Sequence, residues 1–299
     1  MQSTILMAAE YGPPDVLEFV AVDLPSLDRA KVRVQVKAAG INPIDARRMT
    51  GEFRHGGLPQ TFGTEFAGVI VEVPPGSTDW KVGDEVLGSG DGFTHASVID
   101  VPIGNLVARP PAMAWPVAGT LAGVAQTATT VLDELGELKT LLIHGASGGV
   151  GSIAIQLARE RGITVVATAS EKNLGYLREL GAIAVPYGDG LIARLEQVHP
   201  APFDASIDMA GTEEATQAAL ARVKADGPLV TIAGRKVSSP RIKPAWVKRN
   251  RANLEHVVQA VAEGRMRWTV SATFPFAKAA DAYTAVLDGH TRGKSALVF

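Results

Sequence analysis

The stretch 144–159, HGASGGVGSIAIQLAR, decides how this chain is read. It joins an apolar run, TLLIHGA (140–146), to a segment whose Val150, Ile153, Ala154, Leu157 and Ala158 share one helical face. Ala146, Gly148 and Gly151 match the pattern G-x-G-x-x-G with alanine in first place. Small residues at these places permit a tight turn, let the backbone approach a pyrophosphate, and let the helix pack close on the strand. With Ser147, Gly149 and Val150 they form a turn whose anion is expected at the positive end of a helix starting near Gly149. A P-loop would end in Gly-Lys-Ser/Thr, and Gly151-Ser152-Ile153 lacks that lysine. The stretch reads as a dinucleotide site.

Downstream, TVVATAS (164–170), IAVPY (183–187), DASIDMAG (204–211) and PLVTIAG (228–234) read as strands. Helical segments at about 172–181, 189–198 and 213–224 alternate with them. Such alternation predicts a doubly wound parallel sheet, a Rossmann α/β domain. Ligands of such sheets bind at the carboxyl edge, which makes Ala233 and Gly234, after the last of these strands, candidate cofactor contacts. An acid about 20 residues beyond the turn would bind the ribose of NAD. Here the second strand runs into Ser170, Glu171, Lys172 and Asn173. Ser170, Lys172 and Asn173 offer donors to a 2′-phosphate and favour NADP, while Glu171 cuts against it unless it faces solvent as the first acid of the next helix.

Upstream, VRVQVKAAG (32–40), FAGVIVEV (66–73), KVGDEVLG (81–88) and HASVIDVP (95–102) are short strands punctuated by Gly, Asp and Pro. They predict a β-barrel or sandwich over about 1–115. The Rossmann domain is expected over 116–264, including a long helix at 252–264. The tail, 265–299, cannot fold alone and is expected to rejoin the first domain.

Composition sets limits. The chain has 299 residues, 46% hydrophobic and 20% charged, with a net charge of −2. That is ordinary for a globular protein and gives no bulk attraction to nucleic acid or acidic membranes. Cysteine is absent, which removes thiolate zinc sites, cysteine nucleophiles and disulfides. The six histidines are scattered without a close helical pair, so no metal site is expected. No secretory leader or membrane-length apolar run is visible, and the cytoplasm is the expected location. The basic run between Asp226 and Glu255, with Arg235, Lys236, Arg241, Lys243, Lys248, Arg249 and Arg251, reads as a solvated loop rather than a nucleic-acid surface.

AAGINPIDARRMTG (38–51), GTEFAGVIVEV (63–73), VGDEVLG (82–88), HGASGGVGSIAIQLA (144–158) and HTRGK (290–294) together resemble the zinc-less quinone oxidoreductases, the zeta-crystallin-like group of medium-chain dehydrogenases/reductases. The resemblance spans nearly the whole chain. It implies a GroES-like domain on the substrate side, a Rossmann domain holding NADPH, and a homodimer. It places Asn42 where zinc-bearing relatives have a cysteine and Thr64 where they have a histidine, and so implies no zinc. It implies hydride transfer to a quinone or α,β-unsaturated carbonyl, with the Asn42 amide donating to the acceptor oxygen and Asp45 tying down its loop. Thr127 is expected at the carboxamide or phosphate region of the cofactor. Tyr187 is expected by the adenosine phosphate, or is simply a strand-end aromatic. Arg47 and Phe53 stand where many relatives carry tyrosines, so the proton is expected from water. Arg47 or Arg48 either recognises an anionic acceptor or is solvated. An enoyl-thioester reductase and a non-catalytic NADPH-binding protein remain alternatives.

Overall fold

Val32, Val34 and Val36 alternate along one strand and are buried with Phe66, Ile70, Val86 and Val101, so the upstream half folds as a β structure around one apolar core. The computed structural model describes residues 1–54, 56–289 and 291–299. These divide into two units, one of Met1–Gly123, Asn250–Arg265 and Thr269–Phe299, the other of Val124–Arg249 and Met266–Trp268.

The first unit begins with β1 (Gln2–Ala8), β2 (Leu17–Asp23), β3 (Lys31–Ile41), α1 (Pro43–Thr50), β4 (Gln60–Thr61), β5 (Glu65–Glu72), β6 (Glu85–Ser89), β7 (Val98–Pro102), β8 (Leu106–Ala108) and α2 (Trp115–Ala118). Helix α3 (Ala122–Leu135) leads into the second unit. There β9 (Thr140–His144), α4 (Gly149–Glu160), β10 (Thr164–Ala169), α5 (Leu174–Leu180), β11 (Ile183–Pro186), α6 (Leu191–Val198), β12 (Ala205–Asp208), α7 (Glu213–Arg222), β13 (Leu229–Thr231) and β14 (Ile242–Pro244) follow. The chain closes with α8 (Arg251–Ala262), β15 (Val270–Pro275), α9 (Ala279–Leu287) and β16 (Lys294–Val298).

In the first unit the strand order is β15-β16-β3-β5-β6-β8, with β7 also on β3 and a second sheet β2-β1-β4. Strand β16 runs antiparallel to β3, pairing Ser295 with Ile41, which sets Lys294 beside the start of α1. In the second unit all neighbours are parallel in the order β11-β10-β9-β12-β13-β14. Strand β9 is central, and the order reverses on either side of it, which is where ligands of such sheets bind.

The two units differ from the expected 116–264 division at its ends. Residues 116–123 and α8 belong to the first unit. Gly119 is in such close approach to β3 that an added Cβ would lie 2.6 Å from Ala38 O, and Arg251 at the start of α8 stands over the Trp80 ring, 5.6 Å from its centroid. The basic run is not merely a loop either. Ile242 within it is 3% exposed and β14 supplies the sixth strand, because one apolar residue among the charges can still be buried against β13.

Candidate functional site

The glycine turn stands directly after β9. Gly145 takes φ +70°, a conformation that favours glycine, and turns the chain out of the strand. Gly148 is the N-cap of α4 with no side-chain cap, so the first N–H groups of that helix keep no side-chain acceptor. A Cβ on Gly148 would meet only Gly145 O, at 3.8 Å, which leaves open space over the turn. A Cβ on Gly151 would fall on the Ala146 backbone, so this glycine sets the close packing of α4 on β9. An open cradle before uncapped helical N–H groups fits a pyrophosphate.

Beside the turn, Asn173 is 4% exposed and its amide donates to Ser147 Oγ (3.2 Å) and Ser170 Oγ (3.3 Å). The glycine turn and the end of β10 are thereby joined through one side chain. Asn173 acts here as a clasp between the two segments. Ser170 caps a short 3-10 turn, Glu171–Asn173, in which Glu171 and Lys172 are exposed. The Tyr187 N–H donates to Ala169 O (3.2 Å), which ties this 48%-exposed residue to the end of β10 beside Ser170. Ala233 is buried and its N–H donates to Thr231 Oγ1 (3.2 Å), and Gly234 follows at the carboxyl end of β13. Val150 is half-buried in the first turn of α4, and Thr127 is half-buried on α3. His144, the last residue of β9, is 1% exposed, and burial pushes its imidazole pKa down to about 4. Its Nδ1 meets Thr168 Oγ1 (3.2 Å), and its Nε2 is buried without a partner.

In the first unit, Asn42 is the N-cap of α1, and its backbone N–H donates to Asp45 Oδ2 (2.9 Å). Asp45 Oδ1 accepts from the Gly63 N–H (3.0 Å), so Asp45 pins the loop before β5 to α1. The Asn42 side chain is occupied on both sides. Its Nδ2 donates to Thr64 Oγ1 and Glu65 Oε1, each at 3.0 Å, and its Oδ1 accepts from Lys294 Nζ (2.7 Å). An amide nitrogen carries two protons, and here both are given to Thr64 and Glu65.

Those partners form a cluster that the sequence reading missed. Glu65 is fully buried, its Oε1 lies 3.0 Å from Lys294 Nζ, and its Oε2 accepts from the Gly123 N–H (2.7 Å). Lys294, 5% exposed, spends its third proton on Ile41 O (2.6 Å). A Cβ on Gly40 would fall on the Glu65 carboxyl group. Both residues lie inside the quoted motifs GTEFAG and HTRGK, but 229 positions separate them and no local pattern pairs them. Behind the cluster, His95 Nε2 donates to Gly40 O (3.0 Å), and its Nδ1 therefore accepts from Tyr283 Oη (2.8 Å). Burial lowers the His95 pKa and raises that of Tyr283, so both stay neutral. Neither Arg47 nor Arg48 is a solvated arginine: the Arg47 side chain is 15% exposed, with Nε 3.7 Å from Glu52 Oε1, and Arg48 is half-buried.

The geometry of both units has counterparts. A family model of the alcohol dehydrogenase GroES-like domain matches residues 28–132, and one of the zinc-binding dehydrogenases matches 180–297. A chloroplast envelope quinone oxidoreductase homolog of Arabidopsis thaliana is 31% identical over 98% of this chain and 98% of its own length. The chain belongs to the zinc-less quinone oxidoreductase family of medium-chain dehydrogenases/reductases. Within the family, an NADPH-dependent alkenal/one oxidoreductase of Arabidopsis thaliana is 30% identical over 96% of this chain and 77% of its own. The quinone oxidoreductase of Escherichia coli, solved in complex with NADPH, superposes with a TM-score of 0.89 over 99% of this chain and 100% of that one. At 23% identity that likeness speaks for the fold.

Although one matching family model is named for zinc, the residues at the corresponding place do not fit that ion. Asn42 and Thr64 are weak ligands, and Glu65 Oε1 and Asn42 Oδ1 already face the Lys294 ammonium. Among the described residues no three His, Asp or Glu side chains are grouped to hold a metal. Among the same residues no helix is long and apolar enough to cross a membrane.

Proposed function

We propose that the chain is an NADPH-dependent, zinc-independent reductase that delivers hydride to a quinone or an α,β-unsaturated carbonyl. The observation that carries this reading is the open, uncapped glycine turn at the centre of the parallel sheet, joined through Asn173 to a second strand that ends in Ser170 rather than an acid. The activities for which the relatives are named, on quinones and on alkenals and enones, support the same class of acceptor.

Bound NADPH would supply the hydride, and such acceptors take it at carbon or oxygen because conjugation spreads the charge. The chain's own residues bind and orient. Backbone N–H groups of Ser147, Gly149, Val150 and Gly151 would face the pyrophosphate over the open Gly148, with Ala146 forming the floor of the turn. Ser170, Lys172 and Tyr187 would receive the 2′-phosphate, with Asn173 holding Ser170 in place. Thr127, Ala233 and Gly234 would border the nicotinamide half. Asn42 acts as a positioning residue, fixed by Thr64, Glu65 and Lys294, on the acceptor side. With Arg47 and Phe53 where many relatives carry tyrosines, the proton of the product comes from water. The homodimer and the cytoplasmic location implied by the resemblance belong to the same proposal.

The test is oxidation of NADPH and NADH with simple quinones and short enones, with and without a chelator. The reading expects turnover that prefers NADPH and ignores the chelator. Saturable NADPH binding without turnover on any acceptor would contradict it.

A further inference from the structure

Arg48 is a permanent cation with no ion-pair partner among the described residues. It lies on the last turn of α1, and its Nε is buried without a partner. Among the described residues no carboxylate comes within ion-pair distance of its guanidinium. Asp45, one turn earlier on the same helix, has given its two oxygens to the backbone N–H groups of Asn42 and Gly63. Two uncharged groups lie close to it. Gly92, at φ +86°, lies so close that an added Cβ would stand 2.5 Å from Arg48 Nη1, and the buried Tyr283 hydroxyl stays protonated. A guanidinium half-withdrawn from water with an orphaned N–H is costly unless an anion arrives to meet it. Arginine is suited to that task, since its planar fork matches a carboxylate.

We propose that Arg48 recognises a carboxylate carried by the reducible acceptor, so that the preferred substrates of this chain are enones bearing an acid group. The inference rests on the reductase reading and deepens it. Arg48 and Asn42 sit at opposite ends of one eight-residue helix, which puts the anion site about one helix length from the positioned Asn42. An acceptor a few carbons long, with its carbonyl conjugated to a double bond and an acid at the far end, is shorter than that helix, and the extended Arg48 side chain supplies the remaining reach to the acid.

Two probes differ only at one end: 3-penten-2-one carries a methyl where 4-oxo-2-pentenoate carries a carboxylate. The quantity read is the ratio of their kcat/KM values, which cancels any general loss. Arg48→Gln is expected to lower the acid-to-neutral ratio by about ten- to a hundredfold, the worth of a charge-assisted hydrogen bond. Arg48→Lys, which keeps charge but not the fork, should fall between. An unchanged ratio in both variants overturns the proposal. A raised KM for NADPH with an unchanged ratio also overturns it, because the anion is then a cofactor phosphate. Should the variants fold poorly, the wild-type protein still decides. The saturated acid 4-oxopentanoate should compete with the acceptor at least about tenfold better than 2-pentanone, and equal inhibition overturns the proposal. Reduction of neither probe by the wild-type protein would instead refute the reductase reading.

Discussion

Replacing Lys294 by methionine puts the first unit's buried cluster to a quantitative test. The ammonium gives three hydrogen bonds, to Ile41 O, Asn42 Oδ1 and Glu65 Oε1. Methionine fills much of the stem's volume but leaves the fully buried Glu65 carboxylate with only Asn42 Nδ2 and the Gly123 N–H. Removing one partner of a buried ion pair costs about 3–5 kcal/mol, because the other charge stays in a low-dielectric site. At about 2–4 °C per kcal/mol for chains of this size class, the melting temperature should drop by roughly 6–20 °C. Removing both charges, in Lys294→Met with Glu65→Met, should recover a substantial part of that loss, since the uncompensated carboxylate is gone. Thermal unfolding followed by circular dichroism at neutral pH measures all four corners of the cycle. A Lys294→Met protein within about 1 kcal/mol of the original would refute the claim that this ion pair holds Asn42 in place.

Other outcomes follow from the second unit. Gly151→Ala drives a Cβ onto the Ala146 backbone, so NADPH affinity by titration should fall about tenfold or more while far-ultraviolet circular dichroism is kept. Ser170→Asp should swing the NADPH/NADH ratio of kcat/KM toward NADH by about tenfold or more, since like charges set side by side cost several kcal/mol. An unmoved ratio would remove Ser170 from the phosphate site. His144 titrates near 6.5 when unfolded and about 4 when folded, so the unfolded chain binds more protons in that window. Its contribution is complete above about pH 6.5 and is lost as the pH falls toward 4, up to about 3 kcal/mol. His95, lowered by burial as well, acts in the same direction. Melting temperatures between pH 7 and pH 4 should fall less steeply in His144→Gln, and an equal slope would contradict the assignment.

Much of the second unit was legible because its signals are local. Apolar runs at 140–146 and 164–170, a glycine turn and one-faced helices need only a window of about 15 residues to be seen. Strand β14 escaped because three residues, one of them a proline, set among basic neighbours carry no periodicity; only pairing with β13 makes them a strand. Helix α8 is legible as a helix but its unit is not, since periodicity shows which face is buried and not against what. Gly145 was passed over although it directly follows the strand, because the fingerprint was registered one residue later, on Ala146. Asn42 and Asn173 were read by what an amide can donate. The structure shows the protons already given away, to Thr64 and Glu65 in one case and to Ser147 and Ser170 in the other. A donor's partners are set by tertiary packing, and no spacing rule reveals them.

The most direct test of the central claim is isotopic. NADPH carrying deuterium at the transferable position of the nicotinamide would be incubated with the protein, a short enone and a chelator in ordinary water, and the product examined by mass spectrometry and NMR. The account predicts one deuterium on the β-carbon of the saturated ketone and a solvent proton on the α-carbon. A product without deuterium, or deuterium transfer abolished by the chelator, would contradict it.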